Sequence, residues 1–79
     1  MKVQIAGPGC PKCQTTEKNM KDALAALNMD AEVSKVTDYQ EMAKLGVRLT
    51  PTIVIDGNIV LSGRVPTPSE AQDLLNKAG

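Results

Sequence analysis

In the stretch "TPTIVIDGNIVLS", residues 50–62, Ile53, Val54 and Ile55 stand side by side. Successive side chains of a strand point to opposite faces, so three apolar neighbours in a β-branched run need cover on both faces of their sheet. Asp56-Gly57 follows, a dipeptide suited to a tight hairpin turn, and "NIVLS" supplies the return strand. A chain of 79 residues buries only about 60% of the surface it exposes when unfolded, so every apolar run must converge on one core. The expectation is a single domain over residues 1–79. Its core is aliphatic, because 42% of the residues are hydrophobic and Tyr39 is the only aromatic.

The remaining elements alternate in type. "KVQIA" sets Val3 and Ile5 two apart and predicts a first strand ending at Gly7-Pro8-Gly9. From Cys10 to about Asn28, Met20, Ala23, Leu24 and Leu27 recur at three- and four-residue spacing, with Glu17, Lys18, Lys21 and Asp22 facing away. "DAEVSKV" reads as a second strand, with loop as the competing reading, since Val33 and Val36 do not alternate cleanly. Asp38 is placed to cap a short helix over "YQEMAKL", and Gly46 to end it in the left-handed conformation. Thr67, Pro68 and Glu70 form a capping box for a last helix that buries Ala71, Leu74 and Leu75. The predicted order is βαβαββα: a parallel strand pair joined by a crossover helix, two further antiparallel strands in the same four-stranded mixed sheet, and helices on both faces.

Charge excludes some functions. Nine basic and nine acidic residues are interspersed, with a formal net charge of zero. A nucleic-acid binder needs clustered cations, and a single-strand binder needs aromatic platforms too, so nucleic acid is not expected as a partner. No run reaches the roughly 18 apolar residues of a membrane span. "MKVQIAGPG" breaks too early for a signal-peptide core. The expected setting is cytoplasmic, without a membrane partner. A cysteine pair there is more often catalytic, redox-sensing or metal-binding than structural.

The chain has two cysteines, Cys10 and Cys13, in "GPGCPKC". As a staple the pair is poor: closing so short a loop is worth about 2 kcal/mol, against about 3 for a fifteen-residue loop. At the junction of first strand and first helix it occupies the usual place for a site in an open α/β sheet. Residues three apart share a helix face, and the positive helix end stabilises a thiolate at Cys10 more than at Cys13. Cys10 is the expected nucleophile toward a substrate disulfide, and Cys13 the resolving thiol. Pro11 stiffens the intervening dipeptide; Lys12 either lowers the Cys10 pKa further or is an ordinary solvated lysine. Thr50-Pro51 precedes the doubly buried strand. Most such bonds are trans, but a proline at the head of a strand with apolar neighbours points to cis.

"GPGCPKC" after a strand, "TP" before a second strand, the "DG" hairpin and "SGRVP" before a last helix resemble the thioredoxin superfamily, in particular its small thioredoxin-like and glutaredoxin-like redox-active disulfide proteins of archaea and bacteria. The resemblance spans nearly the whole chain. It implies a thioredoxin-like fold and a protein-disulfide oxidoreductase with no cofactor beyond a redox-active Cys10–Cys13 disulfide. It further implies a cis Pro51 beside that disulfide, a Thr50 backbone that pairs with an extended substrate segment, and Gly63 as the floor of the same groove. The implied partners are disulfide-containing proteins and a thioredoxin-reductase-type electron donor, with the protein acting as a monomer. Ordinary thioredoxins carry Trp-Cys-Gly-Pro-Cys and a buried aspartate in the first strand; here Gly9 precedes Cys10 and Gln4 stands near the aspartate's place. Pro11 is glutaredoxin-like, but Ser62-Gly63 replaces the later Gly-Gly or Gly-Asp pair that holds glutathione.

The alternative is a soft-metal chaperone using the same two cysteines. Zinc normally takes four ligands, and this chain has no histidine, but Cu(I) is held by two thiolates in heavy-metal-associated domains. Those domains need neither the Thr50-Pro51 element nor a capped helix after the last strand. Met20 and Met29 read as core filler, so no metal ligand is assigned.

Overall fold

The computed structural model describes residues 1–9 and 11–78. Its elements run β1 (Lys2–Ala6), α1 (Pro11–Ala26), β2 (Glu32–Val36), α2 (Tyr39–Leu45), β3 (Thr52–Ile55), β4 (Asn58–Ser62) and α3 (Pro68–Ala78). The four strands form one sheet in the order β2-β1-β3-β4. β1 lies parallel to β2, with Ile5 opposite Lys35, and antiparallel to β3, with Ile5 opposite Ile53. β3 pairs antiparallel with β4.

Register decides which side chains share a face. Val3, Ile5, Ile53 and Ile55 project to one side, where Met20, Ala23 and Leu24 of α1 and Ala71 and Leu75 of α3 close over them. Burying each large aliphatic side chain contributes about 1.5–3 kcal/mol, and such burial substitutes here for the aromatic anchors the chain lacks. Val54 points to the other side and is equally inaccessible. It faces Ile59 across the hairpin, and Gly46, at the end of α2, lies next to Ile59. Buried Met42 brings α2 onto that second face. The demand of Ile53, Val54 and Ile55 for two-sided cover is thus met. A bulge in β4 interrupts the pairing after Ile53–Leu61, and Val60 and Leu61 both pack against the main core.

The turns follow local chemistry. Asp56 and Gly57 have φ of 50° and 84°, as a tight primed turn requires, and Asp56 exchanges hydrogen bonds with the backbone of Lys2. Asp38 accepts from the Gln40 N–H, and Gly46 ends α2 with its own N–H on Ala43 and that of Val47 on Met42. α1 stops the same way. The N–H groups of Asn28 and Met29 reach the Ala25 and Leu24 carbonyls, with Asn28 left-handed.

One assignment of facing differs from the sequence expectation. Lys18, Lys21 and Asp22 are exposed, but the Glu17 side chain retains only 18% of its accessibility. Lys35 of β2 sits on the α1 side of the sheet and takes the Glu17 carboxylate at 3.5 Å, while Lys21 approaches at 3.9 Å. The cross-element ion pair holds Glu17 against the sheet.

The capping box of α3 is formed: the Glu70 N–H donates to Thr67 Oγ1 and the Thr67 N–H to Glu70 Oε1. Arg64 clasps the same carboxylate with both guanidinium nitrogens. The hydrogen bond from Arg64, then that from Thr67, lower the Glu70 pKa from 4.5 to about 2. A carboxylate whose pKa is depressed on folding adds stability above its unfolded value and loses it as pH falls toward its folded one. Glu70→Gln should therefore lower the urea midpoint at neutral pH, and the gap to wild type should close between pH 4.5 and about 2; a gap that stays constant would show that the clasp does not operate in solution. Thr67→Ala should cost about 1 kcal/mol at neutral pH through the lost cap.

Candidate active site

The site lies where β1 and β2 end. The Gly7 N–H extends the parallel ladder by one bond to the Val36 carbonyl at 2.9 Å; Pro8 and Gly9 then turn the chain toward α1. Gly9 has φ of 86°, which favours glycine, and its carbonyl receives the Gln14 side-chain amide. Cys10 lies outside the described residues. Pro11 is the first residue of α1, where a missing N–H costs nothing. No acid stands in that first turn. The open N–H groups and Lys12 thus present positive potential to any anion at the helix start. Pro11 and Lys12 are exposed, and Cys13, one residue on, is only 6% accessible.

Gly7 is the contact point that sequence reasoning missed. A Cβ built there would fall far inside van der Waals distance of Cys13 Sγ and 3.7 Å from the Thr50 Cβ. Its φ is not positive, so the constraint is space, not conformation. The bare backbone leaves room for the Cys13 sulfur, with the Thr50 side chain also close, where a Cβ would stand. The only sequence signal is a glycine at the end of a strand, where another group comes close.

Thr50–Pro51 is a cis bond, and Pro51 is buried. The Pro51 carbonyl accepts the Gly63 N–H at 3.0 Å, so the segments before β3 and after β4 are tied together. Gly63 has φ of 85°, and Leu49 lies over the position its Cβ would take. Thr52 is fully buried; its hydroxyl donates to the Leu49 carbonyl and lies 3.1 Å from Ser62 Oγ. These bonds fix a short ledge of Leu49, Thr50 and Gly63, with Leu49 still 60% exposed. Leu49 was not foreseen as a site residue, since nothing local distinguishes an exposed loop leucine from a buried one.

Beside Cys13 is a cavity of about 20 Å³, enough for one water molecule, bounded by Ile5, Gly7, Gln14, Lys35 and Thr37 among others. Gln4 takes no part: its register with Ser34 and Val54 places it on the opposite face from Ile5. Among the described residues, no group of three or more His, Cys, Asp or Glu is placed to hold a metal ion, and no helix is long and apolar enough to cross a membrane. Met20 is fully buried in the core, and Met29 packs against it.

A thioredoxin-domain family model matches residues 1–76. A thioredoxin of Methanothermobacter thermautotrophicus is 36% identical over 76 residues, covering 96% of this chain and 99% of the relative. A thioredoxin of Methanocaldococcus jannaschii is 42% identical over 73 residues, covering 92% and 84% respectively.

The Gly7 contact gives a direct test. Gly7→Ala should displace the first turn of α1 and destabilise the protein by about 1–3 kcal/mol, as overpacking does. It should also make the Cys13 thiol accessible to alkylation in the folded state. A variant with wild-type stability and an unreactive Cys13 would contradict the contact.

Proposed function

The chain belongs to the thioredoxin family, and on that premise we propose that it is a protein-disulfide oxidoreductase working through Cys10 and Cys13. The observation that carries the reading is the buried Cys13 sulfur at the start of α1, packed on Gly7 beside the Thr50–Pro51 segment. A thiol there is shielded from bulk solvent, yet sits next to the backbone along which a substrate would lie.

The reduced protein acts in two steps. The Cys10 thiolate attacks one sulfur of a substrate disulfide, forms a mixed disulfide and expels a substrate thiolate. The Cys13 thiolate then attacks the Cys10 sulfur, breaks the mixed bond, closes the Cys10–Cys13 disulfide and releases the second substrate thiolate. Both leaving thiolates take protons from water, so two electrons and two protons reach the substrate. A reductase of the thioredoxin-reductase type restores the dithiol, and no cofactor is held by the protein itself. The substrate is an extended segment of a disulfide-bearing protein, pairing with the Thr50 backbone over Gly63, with Leu49 offering apolar contact. Pro11 and Lys12 modulate Cys10. The protein acts as a cytoplasmic monomer with residues 1–79 as one domain.

Cys10→Ser should abolish reduction of a model substrate such as insulin. Cys13→Ser should retain the first step and lose the second, so that it accumulates a covalent, dithiothreitol-reversible adduct through Cys10, read by mass spectrometry. A Cu(I) chaperone would behave differently: either substitution would end two-thiolate metal binding, and neither would trap a protein. Absence of any thiol-reversible adduct, together with tight Cu(I) binding by wild type, would defeat the oxidoreductase reading.

A further inference from the structure

Gly63 poses a mechanical problem. In the proposed function it floors the substrate groove, and it must stay bare, because Leu49 lies over the position its Cβ would take and its φ is 85°. Glycine also has the most backbone freedom to lose, so its place has to be held by its neighbours. Its N–H reaches the Pro51 carbonyl at 3.0 Å. On the chain before it, Ser62 Oγ lies 3.1 Å from the hydroxyl of the fully buried Thr52. On the chain after it stands Arg64, which gives both guanidinium nitrogens to the Glu70 carboxylate. Glu70 lies in the first turn of α3 and accepts the Thr67 N–H as well. That anchor is firm: Ala71 and Leu75 are fully buried in the core, and Asn19 of α1 holds the Pro66 carbonyl at 2.8 Å.

We infer that the Arg64–Glu70 clasp is a positioning device for substrate binding, one that holds Gly63 against the Pro51 carbonyl so that the groove is formed before a disulfide-bearing segment arrives. The inference rests on the proposed function. Both side chains are at the surface, with 56% and 35% of their area accessible, and an exposed pair of this kind adds little to folding. Its geometry is specific nevertheless, because two bonds fix the plane of the guanidinium as well as its distance. Glu70, its pKa lowered to about 2 chiefly by the Arg64 hydrogen bond, stays charged wherever thiols exchange. Without the clasp, residues 63 and 64 are ordered only when substrate binds, and that cost is taken from affinity. Arg64 and Glu70 carry no step of the exchange itself; they are positioning residues.

The test separates positioning from both chemistry and helix capping. Freeing the backbone of one residue in the unbound protein weakens binding by about fivefold, so Arg64→Met should raise KM for insulin by roughly that factor with kcat little altered. Its rate on hydroxyethyl disulfide, which has no peptide backbone to pair, should match wild type. Arg64→Lys keeps the charge but loses the fork, and should recover only part of the affinity. Glu70→Gln should raise KM in the same direction, and the double variant should be no worse than Arg64→Met alone. Amide hydrogen exchange reads the cause directly: the Gly63 N–H should exchange about fivefold faster in Arg64→Met. Thr67→Ala weakens the α3 cap but keeps the clasp, so it should change neither KM nor Gly63 exchange. An unaltered KM or unaltered Gly63 exchange in Arg64→Met, or an equal rise in KM in Thr67→Ala, would overturn the inference. A wild type that reduces no disulfide, with Gly63 exchange still dependent on Arg64, would instead overturn the proposed function.

Discussion

The Cys13 sulfur rests on the backbone of Gly7, and that contact sets how closely the first turn of α1 approaches the end of β1. The rest of the site takes its position from it. Thr50 also lies close to Gly7, the Pro51 carbonyl accepts the Gly63 N–H, and Leu49 covers Gly63 in turn. A methyl group at residue 7 would push on the buried Cys13 and so on the first turn of α1 where it meets the sheet. Farther along α1, Met20, Ala23 and Leu24 are clamped between the sheet and α3. The helix is anchored by apolar burial at its middle, and at its start by the buried Cys13, whose sulfur meets Gly7, and the buried Thr16.

Much of this was legible in the sequence because its causes are local. A turn that needs positive φ twice admits few dipeptides, and Asp56-Gly57 is one of them. Thr67, Pro68 and Glu70 satisfy the open N–H groups of α3 with side chains one turn away. The apolar spacing of α1 marks its buried stripe before any partner is known. The run Ile53-Val54-Ile55 states the need for helices on both faces, and the sheet and its helices answer that need.

What escaped the sequence depends on partners far along the chain. Glu17 has the composition of a solvent-facing position, and only Lys35, on another element and turned inward by strand register, makes it half-buried. Gly7 looks like part of a turn until the Cys13 sulfur arrives beside it. The bulge in β4 leaves no mark in "NIVLS", whose alternation would put Val60 and Leu61 on opposite faces; both pack toward the core because the pairing slips by one residue there. Cys10 takes its expected role from its place in the sequence before α1, and it lies outside the described residues.

The site and the stability of the last helix are mechanically joined. Gly63 donates to Pro51, and its neighbour Arg64 clasps Glu70, whose carboxylate also completes the cap at Thr67. Asn19 of α1 adds a second tie through the Pro66 carbonyl at 2.8 Å. The segment 63–67 is therefore held at both ends: by the cis-proline segment on one side and by the α3 cap on the other. Exposed ion pairs alone contribute little to folding. Here the geometry of the pair matters more than its energy, because a clasp that restrains Arg64 also restrains the glycine before it. A loop that must keep an open backbone edge cannot be fixed by bulky side chains of its own, and Gly63 has none. Its position is fixed by what comes immediately after it.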